Sequence, residues 1–262
     1  MFGLCVLALF VFLAVFADVL VDYDRVIEQN SPDRLQSPSA AHWFGTDGYG
    51  RDVFSRIIYG TRVSLLIGLI SVAAAMLIGG VLGAVAGYYG GVIDSVIMRT
   101  LDSIMCIPPV LLALAIVASL GPGMRNLLIA ITVSTVPGFT RIVRSAVLQV
   151  VGEEFIEAAR ACGASDATII CRHIIPNCMG PIIVSATMQV GMQIINAASL
   201  SFLGMGVQPP SPEWGSMLAE SREFMRRLPL LVFVPGCTIT LVALCLNLLG
   251  DGLRDALDPR LR

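Results

Sequence analysis

Residues 63–93 read VSLLIGLISVAAAMLIGGVLGAVAGYYGGVI, with no charged side chain between Arg62 and Asp94. A helix needs about 20 mostly apolar residues to cross the hydrocarbon core of a bilayer, and this run exceeds that. It also lacks the strict apolar–polar alternation of a membrane barrel strand. The stretch therefore predicts a transmembrane helix.

Working outward, charge is also missing from 1–17, 103–124, 126–140, 173–212 (His173 counted as neutral) and 228–250. These gaps predict an all-α polytopic membrane protein with six transmembrane helices at about 1–20, 63–88, 103–121, 126–149, 181–203 and 229–250. The uncharged part of the fourth span is short, so Arg141 and Arg144 are expected near one end, snorkelling to the headgroups. Val15-Phe16-Ala17 resembles a signal-peptidase site, but no basic region precedes it and five more spans follow, so the segment reads as a span. The missing basic start predicts a natural N-terminus upstream of Met1. The arginines divide almost evenly between the two sides, so charge does not orient the chain.

Composition agrees. Of 262 residues, 56% are hydrophobic and only 14% charged, against roughly 25% charged in a soluble domain. The net charge of −2 offers no basic face for nucleic acid. All seventeen basic residues are Arg. A Walker A loop needs Lys to reach the β/γ-phosphates, so this chain carries no such ATP site, and any energised work draws its energy from elsewhere. The seven cysteines form no C-x-x-C pair and read as small apolar residues. Cys162, Cys171, His173 and Cys178 are spaced irregularly for zinc, so no metal or other cofactor is expected.

Three stretches outside the spans are informative. Residues 44–56 read FGTDGYGRDVFSR, where Asp47, Arg51 and Asp52 lie close enough to pair, and the segment predicts a capped turn launching an interfacial helix. In 150–180, Glu153 to Cys162 favours helix, Gly163 breaks it, Ser165 or Asp166 caps a second short helix and Pro176 limits it. In 204–228, Pro209, Pro210 and Pro212 forbid continuous helix. An amphipathic helix is expected from Glu213 to Leu228, with Trp214, Met217, Leu218 and Phe224 at the membrane interface.

Inside the spans, Gly79, Gly83 and Gly87 form a strip for close helix packing, the neighbour being open. Gln189, Gln193 and Asn196 share one face of the fifth span, either for structural hydrogen bonding or to line a path. Pro108, Pro109 and Pro137 interrupt spans three and four. No Asp, Glu or His lies mid-span, which counts against a proton-coupled carrier, and neither histidine sits where an intramembrane hydrolase would need it.

Glu157-Ala158-Ala159, Gly163 and Pro176 match in register the pattern E-A-A-x₃-G-x₉-I-x-L-P. With His173 and Ile175 replacing its Ile and Leu, the loop resembles the EAA loop of permease subunits of binding-protein-dependent ABC importers. The segments 44–56, SLSFLGMGVQPPSPEWGSML (199–218) and GDGLRDALDPRLR (250–262) are similar to the "C"-type permease of the dipeptide/oligopeptide/nickel subfamily. The resemblance implies a type I ABC importer permease fold in a bacterial inner membrane, with both termini and 150–180 cytoplasmic. Residues 1–60 would form the first span and an external segment, 61–251 a five-helix permease core, and 252–262 a cytoplasmic tail. Implied partners are a homologous second permease, two ATPase subunits docked on the EAA loop, an external solute-binding protein, a peptide substrate and the lipid bilayer. Nickel chelates or glutathione are the rival cargoes. A self-contained carrier or channel is the rival of another class, and a membrane enzyme a third.

Overall fold

The computed structural model describes residues 1–257, so residues 258–262 of the tail segment, with Arg260 and Arg262, lie outside the described residues. The helices run α1 Phe2–Val15, α2 Val53–Tyr89, α3 Gly91–Met105, α4 Pro109–Leu120, α5 Met124–Val150, α6 Glu154–Ala161, α7 Asp166–Phe202, α8 Trp214–Ser221 and α9 Leu230–Leu257. No strand occurs among the described residues; a lone antiparallel bridge joins Thr46 to Asp52.

The all-helical class is as expected, but the count of six spans is not reproduced. Four helices (α2, α5, α7 and α9) are long and apolar enough to cross a membrane. The third expected span, 103–121, covers α4 and only the end of α3, and these two helices are bent by 82° at a short break. The break falls where a proline follows a proline: Pro108 is extended (φ −52, ψ 132), because Pro109 disfavours helical backbone before it. Pro137, by contrast, stays inside an unbroken α5. The first expected span is a helix of only 14 residues, closed at Phe16.

Helix starts also lie earlier than the charge gaps suggest. α2 begins at Val53, where the Asp52 carboxylate accepts from the Ser55 amide at 2.8 Å. The expected interfacial helix after the 44–56 turn is thus the first part of the long span itself. Its arginines are tolerated because they are paired: Arg62 reaches Asp18 at 3.0 Å and the Ala14 carbonyl at 2.8 Å. In the same way α7 does not stop at Pro176. The chain widens into a π-helical turn at Ile169–Ile174 and continues as α-helix; the wider turn makes room for the ring that would otherwise clash with the preceding turn.

Arg141 and Arg144 are paired across helices. Arg144 grips Asp94 of α3 with two hydrogen bonds at 2.5 and 2.6 Å, and Arg141 reaches Asp102 at 2.5 Å. These pairs fasten α3 to α5.

α2 and α5 pack along the glycine strip. A Cβ at Gly79 would stand 2.9 Å from the Val136 carbonyl oxygen, and one at Gly83 2.6 Å from that of Thr140. Only glycine permits such backbone approach. α7 crosses α2 at Gly68 and α9 at Gly191, and α1 lies against α9 at Gly3.

α8 is shorter than expected and is not interfacial. Trp214 is fully buried, and Met217 nearly so. The indole donates to the Ile57 carbonyl at 3.2 Å and lies over Gly60, while Phe10 meets it edge-on at 6.1 Å.

Candidate functional site

The loop between α5 and α7 is built on one anchor. Ile156 of α6 is fully buried with Val143, Val147, Ile169 and Ile174, which pins α6 across the ends of α5 and α7. Glu157, Ala158 and Ala161 then point outward and are exposed, while Ala159 is half-buried. α6 ends in a Schellman turn: the Ala164 amide donates to the Ala159 carbonyl at 3.1 Å and the Gly163 amide to that of Arg160 at 2.9 Å. Gly163 holds φ +80, a left-handed conformation that explains a glycine there. Ser165 then caps the start of α7, its hydroxyl accepting from the Thr168 amide at 3.4 Å. Pro176 is exposed inside α7, just after its π-helical turn.

Three residues tie this loop to the bundle. The Tyr88 hydroxyl, at the end of α2, donates to Asp166 at 2.7 Å. The Arg160 guanidinium lies over the same ring, 5.2 Å from its centroid. Sequence reading offered Asp166 only as a cap and missed the contact with Tyr88, because Tyr88 lies 78 positions away in the chain.

The polar face of α7 divides. Gln193 is buried and donates to the Thr135 hydroxyl on α5 at 2.9 Å, and Asn196 donates to Gln193 at 3.3 Å. Gln189 is half-buried. Asn196 sits beside Pro109 and Ser134.

At the other end of α2 is a buried charge cluster that the sequence only hinted at. Arg51 donates to Asp47 at 2.7 Å and to Glu220 at 2.6 Å; Arg56 donates to the same two carboxylates at 2.5 and 2.8 Å. Asp52, expected to share in this pairing, instead caps α2 and contacts His42 at 2.9 Å. Both arginines are about 1% exposed. Close by, Glu213 caps α8, accepting from the Gly215 and Ser216 amides at 2.8 Å each. Burial pushes its carboxyl above the ordinary range, and the two amides pull the other way.

Among solved structures, an inward-facing MetNI methionine ABC transporter superposes with a TM-score of 0.63 at 17% identity, covering 78% of this chain and 96% of that one. An amino acid ABC transporter gives 0.60 at the same identity. At that identity the likeness is one of fold alone. Residues 79–262 match the family described as binding-protein-dependent transport system inner membrane component, and residues 1–38 match the N-terminal TM domain of oligopeptide transport permease C. The chain belongs to the binding-protein-dependent inner-membrane transport family, a family of permeases and not of enzymes. It is 50% identical over 260 residues to a dipeptide transport system permease protein of Alkalihalophilus pseudofirmus, covering 99% of this chain and 85% of that protein. It is 49% identical over 261 residues to a glutathione transport system permease protein of Pectobacterium atrosepticum, covering 99% and 86%. A di/tripeptide permease of Pseudomonas aeruginosa is 44% identical over 265 residues, covering 99% and 88%.

Proposed function

We propose that this chain is the permease subunit of an ATP-driven importer of di- and oligopeptides. It forms half of the translocation path with a homologous permease. Two ATPase subunits dock on the 150–180 loop, and a solute-binding protein delivers cargo on the opposite side, where 21–62 and 204–228 lie. The termini are then cytoplasmic. The observation that carries the docking assignment is the geometry of α6: one buried anchor, Ile156, and an outward face of Glu157 and small alanines held rigid by the Gly163 turn. Small side chains let a partner approach closely. The chain itself has no Lys for a Walker A site, so hydrolysis belongs to the docked subunits.

Gln193 is engaged inside the bundle and Asn196 donates to it, which leaves the half-buried Gln189 as the member of this polar face most available to the path. Support for peptide cargo comes from the 50% identical dipeptide permease. Glutathione, itself a tripeptide, is the second reading, on the strength of the 49% identical glutathione permease.

The test is uptake of a labelled dipeptide by cells with and without the gene, with and without ATP depletion, in a background lacking other peptide transporters. ATP-dependent uptake restored by the gene supports peptide import. Restored uptake of labelled glutathione alone moves the assignment to the second reading. Uptake that persists without ATPase subunits overturns the importer in favour of a self-contained carrier.

A further inference from the structure

We propose that α2 is the strut that carries movement of the coupling helix α6 to the 21–62 and 204–228 segments, with Tyr88 fastening its loop end. This rests on the reading of 150–180 as the ATPase-docking loop.

Three observations meet on this helix. First, α2 runs unbroken over 37 residues, a length of about 55 Å. It is the one long helix without proline: α5 contains Pro137, α7 Pro181 and α9 Pro235. Proline is one place where a long helix bends, and α2 has none.

Second, both ends are fastened by polar contacts to the elements it would connect. At one end Tyr88 touches both arms of the loop, Asp166 of α7 through its hydroxyl at 2.7 Å and Arg160 of α6 through its ring. At the other end Arg56, in the first turn of α2, and Arg51 just before it clamp Asp47 and Glu220. That clamp joins the turn 44–56 to α8, so a shift of α2 displaces both segments together.

Third, the contacts along its length are backbone-close. Gly79 and Gly83 seat α2 on the α5 backbone at Val136, Thr140 and Arg144, and Gly87 seats it on the Val147 side chain, so little room is left to absorb a shift. Close-packed interiors transmit displacement where loose ones dissipate it. Tyr88 is therefore a positioning residue: it touches no substrate, and it sets whether the loop and the strut move as one.

The experiment is hydrogen exchange on the complete transporter in nanodiscs, nucleotide-free and trapped with ATP and vanadate. In the wild type, trapping changes exchange at 154–161 and also at 44–56. Tyr88→Phe keeps the ring and its packing but removes the hydroxyl. It should retain the response at 154–161 and weaken that at 44–56 by about five-fold, the population shift one hydrogen bond supports. Asp166→Ala should do the same, whereas Asp166→Asn, which still offers an acceptor, should follow the wild type. A full response at 44–56 in Tyr88→Phe and Asp166→Ala overturns the strut, and so does a wild type whose loop responds while 44–56 does not. A loop that does not respond at all identifies a different failure, that of the docking assignment itself.

Discussion

Arg51 and Glu220 are 169 positions apart in the chain, and the guanidinium of one donates to the carboxylate of the other at 2.6 Å. With Asp47 and Arg56 they form a group of two cations and two anions in which the arginines and Asp47 are buried and Glu220 is partly buried. Removing one member of a buried pair leaves an uncompensated charge, at a cost of about 3–5 kcal/mol.

Glu220→Ala is accordingly expected to lower the thermal stability of the purified protein strongly, since two buried guanidiniums would share one carboxylate. Glu220→Ala combined with Arg51→Met removes one charge of each sign and should recover part of the loss. Thermal unfolding in detergent, followed by size-exclusion chromatography, measures both. A single variant as stable as the wild type would show that the cluster contributes no stability.

The glycines of α2 are not equivalent. A Cβ at Gly83 would lie 2.6 Å from the Thr140 carbonyl oxygen and 2.9 Å from the Arg144 amide nitrogen, whereas one at Gly80 meets nothing within 4 Å. Gly83→Ala should destabilise by about 1–3 kcal/mol through overpacking. Gly80→Ala should be neutral or stabilising by up to about 1 kcal/mol, from helix propensity. The same melting assay reads the contrast, and equal melting temperatures for the two variants would refute it.

If the loop at 150–180 docks ATPase subunits as proposed, Glu157→Lys and Gly163→Pro should leave the chain in the membrane and abolish ATP-driven uptake. Glu157 is exposed, so its replacement perturbs the surface rather than the core. Gly163 holds φ +80, which proline's ring forbids. Membrane fractionation and uptake are measured side by side; wild-type uptake in both variants would remove the docking role from this loop.

Glu213 supplies a pH dependence whose sign can be worked out. Burial raises its carboxyl above the ordinary value of 4.5, so the folded protein holds this proton more tightly than the unfolded chain. The group's contribution to stability is then fully present below the unfolded value and is lost as pH rises through the raised one. Glu213→Gln cannot ionise. The stability of the wild type minus that of Glu213→Gln should fall as pH climbs from 4 to neutrality, by denaturant or thermal titration. A difference that rises instead would mean that the Gly215 and Ser216 amides outweigh burial.

Much of this architecture was legible locally. The charge-free run 63–93 is long enough for a bilayer whatever surrounds it, and G-x-x-x-G spacing marks a close contact without naming the neighbour. Gly163 and Ser165 mark a turn because each meets a backbone need within a few residues. Where partners are remote, sequence reading failed. Arg141 and Arg144 read as snorkelling, since Asp102 and Asp94 lie 39 and 50 positions away. α3 was overlooked as a helix for the same reason, its three charged residues being taken as a boundary. Trp214 read as interfacial because nothing near it in sequence announces that Gly60 leaves a slot for its ring.

The sequence by itself determined the solvent: too few charges for a soluble surface, and apolar runs long enough to span a bilayer; having no lysine, these residues also hold no Walker A loop. It also determined the short-range features, caps and breaks, whose donors and acceptors lie within one turn. Tertiary structure alone decided which charges are neutralised, which glycine faces which helix, and that one continuous helix connects the loop at 150–180 to the buried charge cluster. Such pairings depend on distance in space, and an ion pair or a backbone contact has a range of a few ångströms that chain order does not encode.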